Sequence, residues 1–428
     1  MGVVRRVLVA VASLALGLST QAHAETPPAA GPWVDEAASL PEWARSVRIL
    51  RSDETLLVQP TKASERRGSA AREALLPLYG AHRGAGCRAP WLAVGPWAWV
   101  CGDDVELSRG APLSAQAAVH PPSSDGLPFR YYFVGPDGSF GYKQLEQADH
   151  GVPDFQLEPG FAVAITEERS LDGQRYGRSG NDLWLPMRDL SPTRPFAFQG
   201  SEIAAEPSGP IPVAWVVAPT SRVFHSASRA RPRGESLAQF VKVDWLEEAG
   251  QFERFVRIGE DRWVAARDLR HPTIAPPPSE VDVAAKERWI DVELATQTLV
   301  AYEGERPTFA TLVSTGKGRP GTANGTPLGT FRIWVKLTTS NMDNLEDENA
   351  RRYYRMESVP WVQYFDKGVG LHGAFWHRGF GQVRSHGCVN LAPLDAQRLF
   401  SFTSPRLPAG WTAVLPSERE RGTVVRVR

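Results

Sequence analysis

Short apolar runs, each interrupted after a few residues by Gly, Pro, Asp or Ser, fill the sequence from residue 46 to residue 272. Residues 47–50 and 56–58 are typical, and few stretches repeat apolar residues with the period of a helix. Runs of this length between turn-forming residues predict β-strands. We therefore expect this half of the chain to be all-β.

A short pattern recurs three times within this half. Trp99, Trp184 and Trp263 each follow a Gly by four residues, and each precedes an Asp by five residues. These segments resemble the closing hairpins of the bacterial SH3-like family. Because the pattern is short and irregularly spaced, generic hairpin patterning is the alternative. SH3-like modules are predicted at residues 46–108, 129–192 and 210–272.

A proline-rich segment, PTIAPPPSE at residues 272–280, separates the two halves of the chain. Proline fixes φ and lacks a backbone N–H, so this segment cannot form a helix or a central strand. We predict a semi-rigid linker over residues 273–286.

After residue 287, apolar and polar residues alternate as they do in half-buried strands. Pro393 suits the first turn of a helix, which we predict to run to Phe402. Strands are predicted at residues 289–294, 298–302, 308–314, 330–337 and 423–428.

The N-terminus has the three parts of a secretory signal. Arg5 and Arg6 precede an apolar stretch at residues 7–18, and the cleavage sequence Ala-His-Ala ends at Ala24. The apolar stretch is short for a membrane span, although a retained N-terminal anchor is the alternative. We predict cleavage of residues 1–24 and export to the periplasm or cell wall, without stable membrane insertion.

Basic and acidic residues balance at 48 each, and no long basic run occurs. Proteins that bind nucleic acid usually concentrate positive charge on one face or segment. A nucleic-acid partner is therefore not expected.

The chain has three cysteines, an odd number for an exported protein. Cys87 and Cys101 lie at opposite ends of a short predicted hairpin and are natural disulfide partners in an oxidising compartment. Cys388 is then left as a free thiol, for which a buried, inert cysteine is the alternative.

This thiol lies in a segment rich in groups that activate a nucleophile. Twelve residues separate His372 from the sequence SHGC, which ends in Cys388. A thiol with a pKa near 8.5 is mostly protonated at neutral pH, and a neighbouring imidazole can take its proton. His372 and His386 are both candidate bases, and spacing alone does not choose between them.

Two backbone features would assist such a nucleophile. N–H groups at residues 387–389 are candidates for an oxyanion hole. A helix beginning at Pro393 would stabilise the thiolate if Cys388 faced its N-terminus. Together these groups supply what acyl transfer through a thioester requires.

At these positions the chain resembles the L,D-transpeptidase (YkuD-type) family. The family signature is a His, a spacer, and then Ser/Thr-His-Gly-Cys-apolar-Asn/Arg, which the chain matches from His372 to Asn390. Residues 291–297 and 313–317 are similar to the family's opening strands, and GTPLGTF at residues 325–331 is similar to its T-P-x-G-x-F turn.

The resemblance implies a mainly β fold. A β-sandwich with few helices would occupy residues 287–415, preceded by the small SH3-like barrels. Residues 416–428 would form a C-terminal tail.

The resemblance also implies roles for individual residues. Cys388 would be the nucleophile, His372 the general base, and the Gly373 carbonyl would orient that histidine. Ser385, His386, Gly387 and Asn390 would shape the pocket.

The implied reaction is attack on a peptidoglycan stem peptide, release of D-alanine, and transfer of the acyl group to an amine. The amine would belong to another stem, a wall-anchored protein or a D-amino acid. The chemistry requires no metal and no organic cofactor.

Residues 341–361 are charged and aromatic and precede the His372 segment. One interpretation is a solvated helix and loop. The other is a lid over the substrate cleft, with Tyr353, Tyr354 and Trp361 as its walls.

Trp376 and Arg384 lie in the spacer between the two halves of the signature. Arg384 is a candidate for binding the stem carboxylate. Most residues beside a site only shape it, so a packing or surface role is the alternative for both.

Two other classes of function fit the same sequence. A zinc peptidase could use His372, His377, His386 and Cys388 as ligands, although no carboxylate and no H-E-x-x-H pattern accompany them. A non-catalytic wall-binding protein would depend on the SH3-like half instead.

Overall fold

The computed structural model describes residues 38–114, 124–194, 196–204, 210–345 and 353–428. The predicted signal at residues 1–24 therefore lies outside the described residues. Within the described part of the chain, no helix is long and apolar enough to cross a membrane. The prediction of a mainly β fold is confirmed.

The first unit, residues 46–108, packs around an apolar core to which β33 near the C-terminus also contributes. β4, β1 and β8 form one sheet, and β3, β2, β7, β6 and β5 pair in that order. Val47, Leu76 and Val100 are fully buried between them. The strands are β1 (Ser46–Ile49), β2 (Glu54–Leu57), β3 (Arg66–Ala70), β4 (Leu75–Pro77), β5 (Gly80–His82), β6 (Trp91–Gly95), β7 (Ala98–Cys101) and β8 (Val105–Ser108).

The predicted disulfide is present in this unit. Cys87, in the loop before β6, is bonded to Cys101 at the end of β7, with their Cα atoms 5.8 Å apart. Cys388 is free.

The second unit packs around Val134, Val163 and Leu185. Its strands are β9 (Arg130–Val134), β10 (Ser139–Gly141), β11 (Phe155–Leu157), β12 (Ala162–Leu171), β13 (Gln174–Ser179), β14 (Trp184–Pro186) and β15 (Leu190–Pro192), with 3-10 turns at Leu145–Ala148 and Met187–Asp189.

The third unit packs around Val216, Val256 and Val264. A short strand, β16 (Ser201–Glu202), precedes it. Its own elements are β17 (Val213–Val216), β18 (Thr220–Phe224), β19 (Pro232–Ala238), β20 (Lys242–Asp244), β21 (Glu247–Ala249), β22 (Phe255–Gly259), β23 (Arg262–Ala265), a 3-10 turn at Ala266–Asp268, and β24 (Leu269–Arg270).

The recurring Trp–Asp spacing corresponds to a shared turn in the second and third units. In both, the strand that carries the Trp runs into a 3-10 turn that ends at the Asp. The Asp carboxylate accepts a hydrogen bond from a buried serine: Ser139 to Asp189 at 3.0 Å, and Ser221 to Asp268 at 2.6 Å. In the first unit Asp104 instead pairs with Arg51. An SH3-like identity of the units stays a prediction.

The C-terminal domain is a sandwich of two sheets. One sheet has the order β16-β27-β26-β25-β34-β28, and the other contains β33, β29, β30, β31 and β32. Ile290, Leu371 and Leu399 are among the fully buried residues between the sheets and the helix. The elements are β25 (Arg288–Glu293), β26 (Thr298–Glu303), β27 (Arg306–Leu312), β28 (Gly329–Arg332), β29 (Val335–Asp343), β30 (Arg355–Asp366), β31 (Val369–Gly373), β32 (Val389–Leu391), α1 (Pro393–Phe402), β33 (Trp411–Val414) and β34 (Val424–Val427).

Two boundaries differ from the sequence prediction. The predicted strand at residues 330–337 is two strands, because β28 pairs with β34 in one sheet and β29 pairs with β30 in the other. The predicted tail at residues 416–428 contains β34, which lies between β25 and β28. The end of the chain is therefore built into the sandwich.

The charged segment at residues 341–361 is not helical where it is described. β29 runs into it and β30 begins within it, while residues 346–352 lie outside the described residues. Trp361 is 7% exposed and its Nε1–H donates to the Gly126 carbonyl at 2.6 Å. Trp361 is thus a core residue and not a wall of the substrate cleft.

The proline-rich linker has neither helix nor strand, as its sequence dictates, but it lies against the C-terminal domain. The Ala275 N–H donates to the Tyr302 hydroxyl at 3.1 Å, and Arg426 donates to the Pro276 carbonyl at 2.8 Å. The segment is therefore held against the C-terminal domain and is not a free spacer.

One sheet joins three parts of the molecule. β33 of the C-terminal domain pairs with β3 of the first unit, and β30 pairs with β12 of the second unit. The result is a continuous sheet of 15 strands.

Candidate active site

The structure brings the predicted nucleophile and base to neighbouring strands. Cys388 lies directly before β32, which runs parallel to β31 with His372 opposite Asn390. Side chains two residues apart on a strand share a face, so Cys388 lies on the same face as Asn390 and His372. Diagonal neighbours on adjacent strands are about 7–8 Å apart at Cα, within reach of an imidazole ring.

The Cys388 thiol lies against the backbone at the start of β31. Its Sγ is 3.6 Å from the Gly368 carbonyl oxygen. Burial raises the pKa of Cys388 above its ordinary value, and a hydrogen bond with the Gly370 backbone partly opposes this rise. At neutral pH the resting group is therefore the thiol.

His372 is only 2% exposed, and burial lowers its pKa to about 4. Its Nδ1 lies 3.3 Å from the Gly373 carbonyl oxygen. Because a carbonyl only accepts, Nδ1 carries the proton and Nε2 has a free lone pair. The imidazole is therefore neutral and in the tautomer that a general base requires.

Two hydroxyl groups fix the turn that presents Cys388. Ser385 Oγ donates to the Cys388 carbonyl at 2.5 Å and accepts from the Gly387 N–H at 3.1 Å. Thr326 Oγ1 donates to the Gly387 carbonyl at 2.7 Å and accepts from the Gly316 N–H at 2.9 Å. Gly387 has φ +133, which favours glycine.

These contacts revise the predicted oxyanion hole. The Gly387 N–H is already bonded to Ser385, so it is not free to bind an oxyanion. The Cys388 N–H is the better candidate within residues 387–389.

The helix does not assist the thiolate. β32 and Ala392 separate Cys388 from Pro393, a stretch of five residue steps or about 16 Å of extended chain. The helix field acts mainly within its first turn, so its effect on Cys388 is small. The N-terminal end of α1 instead carries buried Asp395.

Asn390 and His377 form a buried pair that the sequence did not predict. Asn390 Nδ2 is 2.9 Å from His377 Nε2, and the Gly379 N–H donates to His377 Nδ1 at 3.1 Å. Burial lowers the pKa of His377 to about 4, so its single proton is on Nε2. That proton requires an acceptor, which the amide oxygen of Asn390 supplies when the amide is turned.

Tyrosine side chains lie on the outer side of the thiol. Tyr354 is half-buried, and its ring stacks on exposed His386 with centroids 5.4 Å apart. Burial raises the pKa of Tyr354 and of Tyr364, and a charge on Cys388 would raise both further. Tyr364, on β30, was missed because only its register opposite Gly370 brings it to the site.

The remaining predicted residues lie around this centre. Trp376 is half-buried and stacks on His372 with centroids 5.7 Å apart. Arg384 is exposed and bonds to Gln382 at 3.4 Å. Partial burial lowers the pKa of His386, which faces solvent while His372 is enclosed.

The four candidate zinc ligands do not converge. Among the described residues, the one group of three donor atoms within 4.8 Å of each other is Cys87, Cys101 and Asp103, and the two cysteines are joined in the disulfide. His372, His377, His386 and Cys388 therefore do not form a cluster of metal-ligand geometry.

Comparison with known proteins assigns a family to the domain that contains this site. The sequence profile of the L,D-transpeptidase catalytic domain (YkuD) matches residues 287–427. No curated protein matches the chain. This third of the chain is an L,D-transpeptidase catalytic domain of the YkuD family, and the chain therefore carries an enzyme domain.

Solved structures of L,D-transpeptidases are similar to the same region. The catalytic domain from E. faecium is 24% identical, with 33% of this chain and 98% of that chain covered and a TM-score of 0.26. The enzyme from Stackebrandtia nassauensis is 26% identical, with 36% and 60% covered and a TM-score of 0.23. The chain spans 49% of the protein in the Ldtfm-avibactam carbamoyl enzyme, which is 24% identical, with 33% of this chain covered and a TM-score of 0.26.

Proposed function

We propose that the chain is an exported L,D-transpeptidase that acts on peptidoglycan stem peptides through a Cys388 thioester. The observation that carries this proposal is the register of two parallel strands, which sets His372 opposite Asn390, two residues after Cys388. The buried, neutral imidazole has its Nδ1 proton directed to Gly373 and its Nε2 lone pair free.

The first half-reaction begins with a neutral pair. As the Cys388 sulfur attacks the carbonyl of the third stem residue, His372 Nε2 takes the thiol proton. The Cys388 N–H stabilises the oxyanion of the tetrahedral intermediate. Collapse breaks the peptide bond, His372 returns the proton to the leaving amine, and D-alanine departs from the acyl-enzyme.

The second half-reaction uses the same groups in reverse. An acceptor amine attacks the thioester carbonyl while His372 takes a proton from the amine, and the thiol leaves with that proton. An acceptor amine on another stem gives a cross-link. An amine of a wall-anchored protein gives attachment of that protein, and a D-amino acid gives exchange of the terminal residue. The N-terminal signal sequence supports a location in the periplasm or cell wall, where this substrate lies.

The rival functions receive less support. A zinc peptidase would need its ligands together, which the described geometry does not provide. A wall-binding protein without chemistry would not need a buried, oriented histidine beside a free thiol.

Mass spectrometry of purified stem peptides incubated with the mature protein tests the proposal. We expect loss of D-alanine from tetrapeptide stems, a covalent adduct on Cys388 with a carbapenem, and neither product with Cys388→Ala. A thiol alkylator should abolish the reaction and a chelator should not. A wild-type protein that never forms an adduct would support the wall-binding function instead.

A further inference from the structure

The spacer between the base and the SHGC sequence, residues 373–384, is contacted by parts of the chain outside the catalytic domain. The second unit contacts its first half and the third unit contacts its second half. These contacts bear on the position of His372, because the spacer begins directly after the base.

The second unit reaches the spacer through Tyr131. The Tyr131 ring stacks on Phe375 with centroids 4.0 Å apart and an interplanar angle of 29°. The two residues are only 2% and 9% exposed, so the contact is dry. The Tyr131 hydroxyl also donates to the Ser358 carbonyl on β30 at 2.5 Å, which fixes the ring.

The stack continues to the base. Phe375 meets Trp376 edge-on at 5.1 Å, and Trp376 stacks on His372 at 5.7 Å. Aromatic pairs in stacked and edge-on arrangements stabilise each other beyond the area that they bury. Four rings, Tyr131, Phe375, Trp376 and His372, therefore link the second unit to the general base.

The third unit fixes the other half of the spacer. Arg270 Nε donates to the Gly381 carbonyl at 3.2 Å. Phe380 is fully buried and stacks at 5.7 Å on Phe196, which lies before the third unit and packs on its Phe240 at 5.2 Å. His377 packs on Phe380 at 5.0 Å. Because both halves of the spacer are held in place, we expect a change at Tyr131 to shift Phe375 and Trp376 and not the whole loop.

We propose that Tyr131 of the second unit is a positioning residue for the transpeptidase reaction: its ring fixes Phe375 and Trp376 and thereby sets the orientation of His372. Tyr131 would then support the reaction from outside the catalytic domain, without touching the substrate. This inference rests on the proposed function, since it assigns a task to a residue that acts through the proposed base.

Three variants separate positioning from stability. Tyr131→Leu removes the ring face but keeps an apolar side chain, whereas Tyr131→Phe keeps the ring and loses only the bond to Ser358. Tyr176→Leu is the matched control, because Tyr176 is 4% exposed in the same unit and packs with Leu145 and Trp184, away from the spacer. Phe375→Leu breaks the same stack from the spacer side.

Acylation of Cys388 by a carbapenem is followed by mass spectrometry in the full-length mature protein, together with the melting temperature. We expect Tyr131→Leu and Phe375→Leu to lower the maximal acylation rate at least tenfold with little change in the concentration for half-maximal rate, since small misplacements of reacting groups cost up to about 100-fold. Tyr131→Phe and Tyr176→Leu should lower the melting temperature but keep the rate within about twofold of wild type.

The pH profile gives a second readout. The acid limb of the acylation rate reports protonation of His372, and loosened packing should move it upward from about 4 toward the ordinary value of 6.5 in Tyr131→Leu. The neighbouring titratable groups are His377 on the spacer and Cys388, directly before β32, and neither is altered by the substitution.

The outcomes distinguish two failures. A wild-type protein that is not acylated overturns the proposed function itself. A wild-type protein that is acylated, with Tyr131→Leu or Phe375→Leu reacting equally fast and with an unmoved acid limb, overturns the positioning role alone. Equal rate losses in Tyr131→Leu and Tyr176→Leu would show that only the stability of the unit matters.

Discussion

At the scale of single residues, the two groups at the centre of the site both favour the uncharged state. Burial lowers the pKa of His372 to about 4 and raises that of Cys388. A thiolate–imidazolium ion pair would require the opposite shifts. In the proposed reaction the proton would therefore move during attack on the carbonyl, which is general-base catalysis.

The rate at which iodoacetamide alkylates Cys388 depends on the fraction of Cys388 present as thiolate, so this rate tests the mechanism. Because the pKa of Cys388 is raised, we expect the alkylation rate to keep rising through pH 9 without a plateau near neutrality. His372→Ala should leave alkylation at pH 9 nearly unchanged but lower acylation by a stem peptide roughly 100-fold or more. A plateau between pH 6 and 7 that disappears in His372→Ala would instead indicate an ion pair.

The sequence predicted Cys388 and His372 as a pair because their chemistry and spacing form one local signature. It left the choice of base open between His372 and His386. The structure favours His372, which is enclosed, whereas His386 is exposed. The sequence did not predict the Asn390–His377 pair or the position of Tyr364, because strand register and loop geometry bring these residues to the site. Such contacts leave no periodic pattern in a single chain.

At the scale of elements, the turn before β32 depends on Thr326 from a distant loop. Its hydroxyl satisfies the buried carbonyl of Gly387 and the buried N–H of Gly316. From the sequence, this threonine was predicted only as part of a turn motif. Its hydrogen bond to Gly387, the residue before Cys388, was not predicted.

Thr326→Val removes both hydrogen bonds while keeping the shape of the side chain. We expect a loss of roughly 1–3 kcal/mol of stability for each unsatisfied group, and a lower acylation rate as the turn relaxes. Thr326→Ser keeps the hydroxyl and is the matched control. Melting temperature and acylation rate measure the two effects, and equal behaviour of the two variants would contradict this role.

Helix α1 begins with a buried carboxyl group that is sensitive to pH. Asp395 accepts from Thr311 Oγ1 at 2.5 Å and from the Gly200 N–H at 2.9 Å, and burial raises its pKa from 3.8 to about 7. A carboxyl whose pKa is higher in the folded protein than in the unfolded chain stabilises below the unfolded value. That stabilisation is lost as the pH rises toward 7.

We therefore expect Asp395 to contribute a fall in stability between pH 4 and pH 8, of order 4 kcal/mol at most. Asp395→Asn keeps hydrogen-bonding capacity but cannot ionise, so its melting temperature should fall less than that of wild type over this range. The difference between the two slopes of melting temperature against pH removes the contribution of the other titrating groups, which both proteins share. Parallel slopes would show that Asp395 is not the source.

Elements with a local signal were predicted well, and those that depend on partners were not. The helix from Pro393 to Phe402 was predicted at its observed bounds, because its proline start is local. The run at residues 330–337 was not resolved into β28 and β29, since alternation does not show which sheet a strand joins. β30 was missed because charged residues dominate the segment before it.

At the scale of the whole molecule, the catalytic domain shares its core with the first unit. Trp411 and Val414 of β33 lie in the same buried cluster as Val47 and Leu76. A sequence pattern defines each unit separately, but it does not show that β33 and β3 will pair. Docking depends on shape at the contact, where Gly68 of β3 lies opposite Val414.

Gly68 and Gly80 provide a matched test of this docking. A Cβ on Gly68 would lie 2.7 Å from the Trp411 ring and would also overlap the Ala413 carbonyl, whereas a Cβ on Gly80 would meet nothing within 4 Å. We expect Gly68→Ala to destabilise by about 1–3 kcal/mol, as overpacking does, and Gly80→Ala to change stability by about 0.5 kcal/mol or less. Hydrogen exchange at the β33 amides that face β3 should quicken only in Gly68→Ala, because β33 loses that pairing while it keeps β29 on its other side. Unchanged protection of β33 in Gly68→Ala would show that the first unit does not support the catalytic domain through this edge.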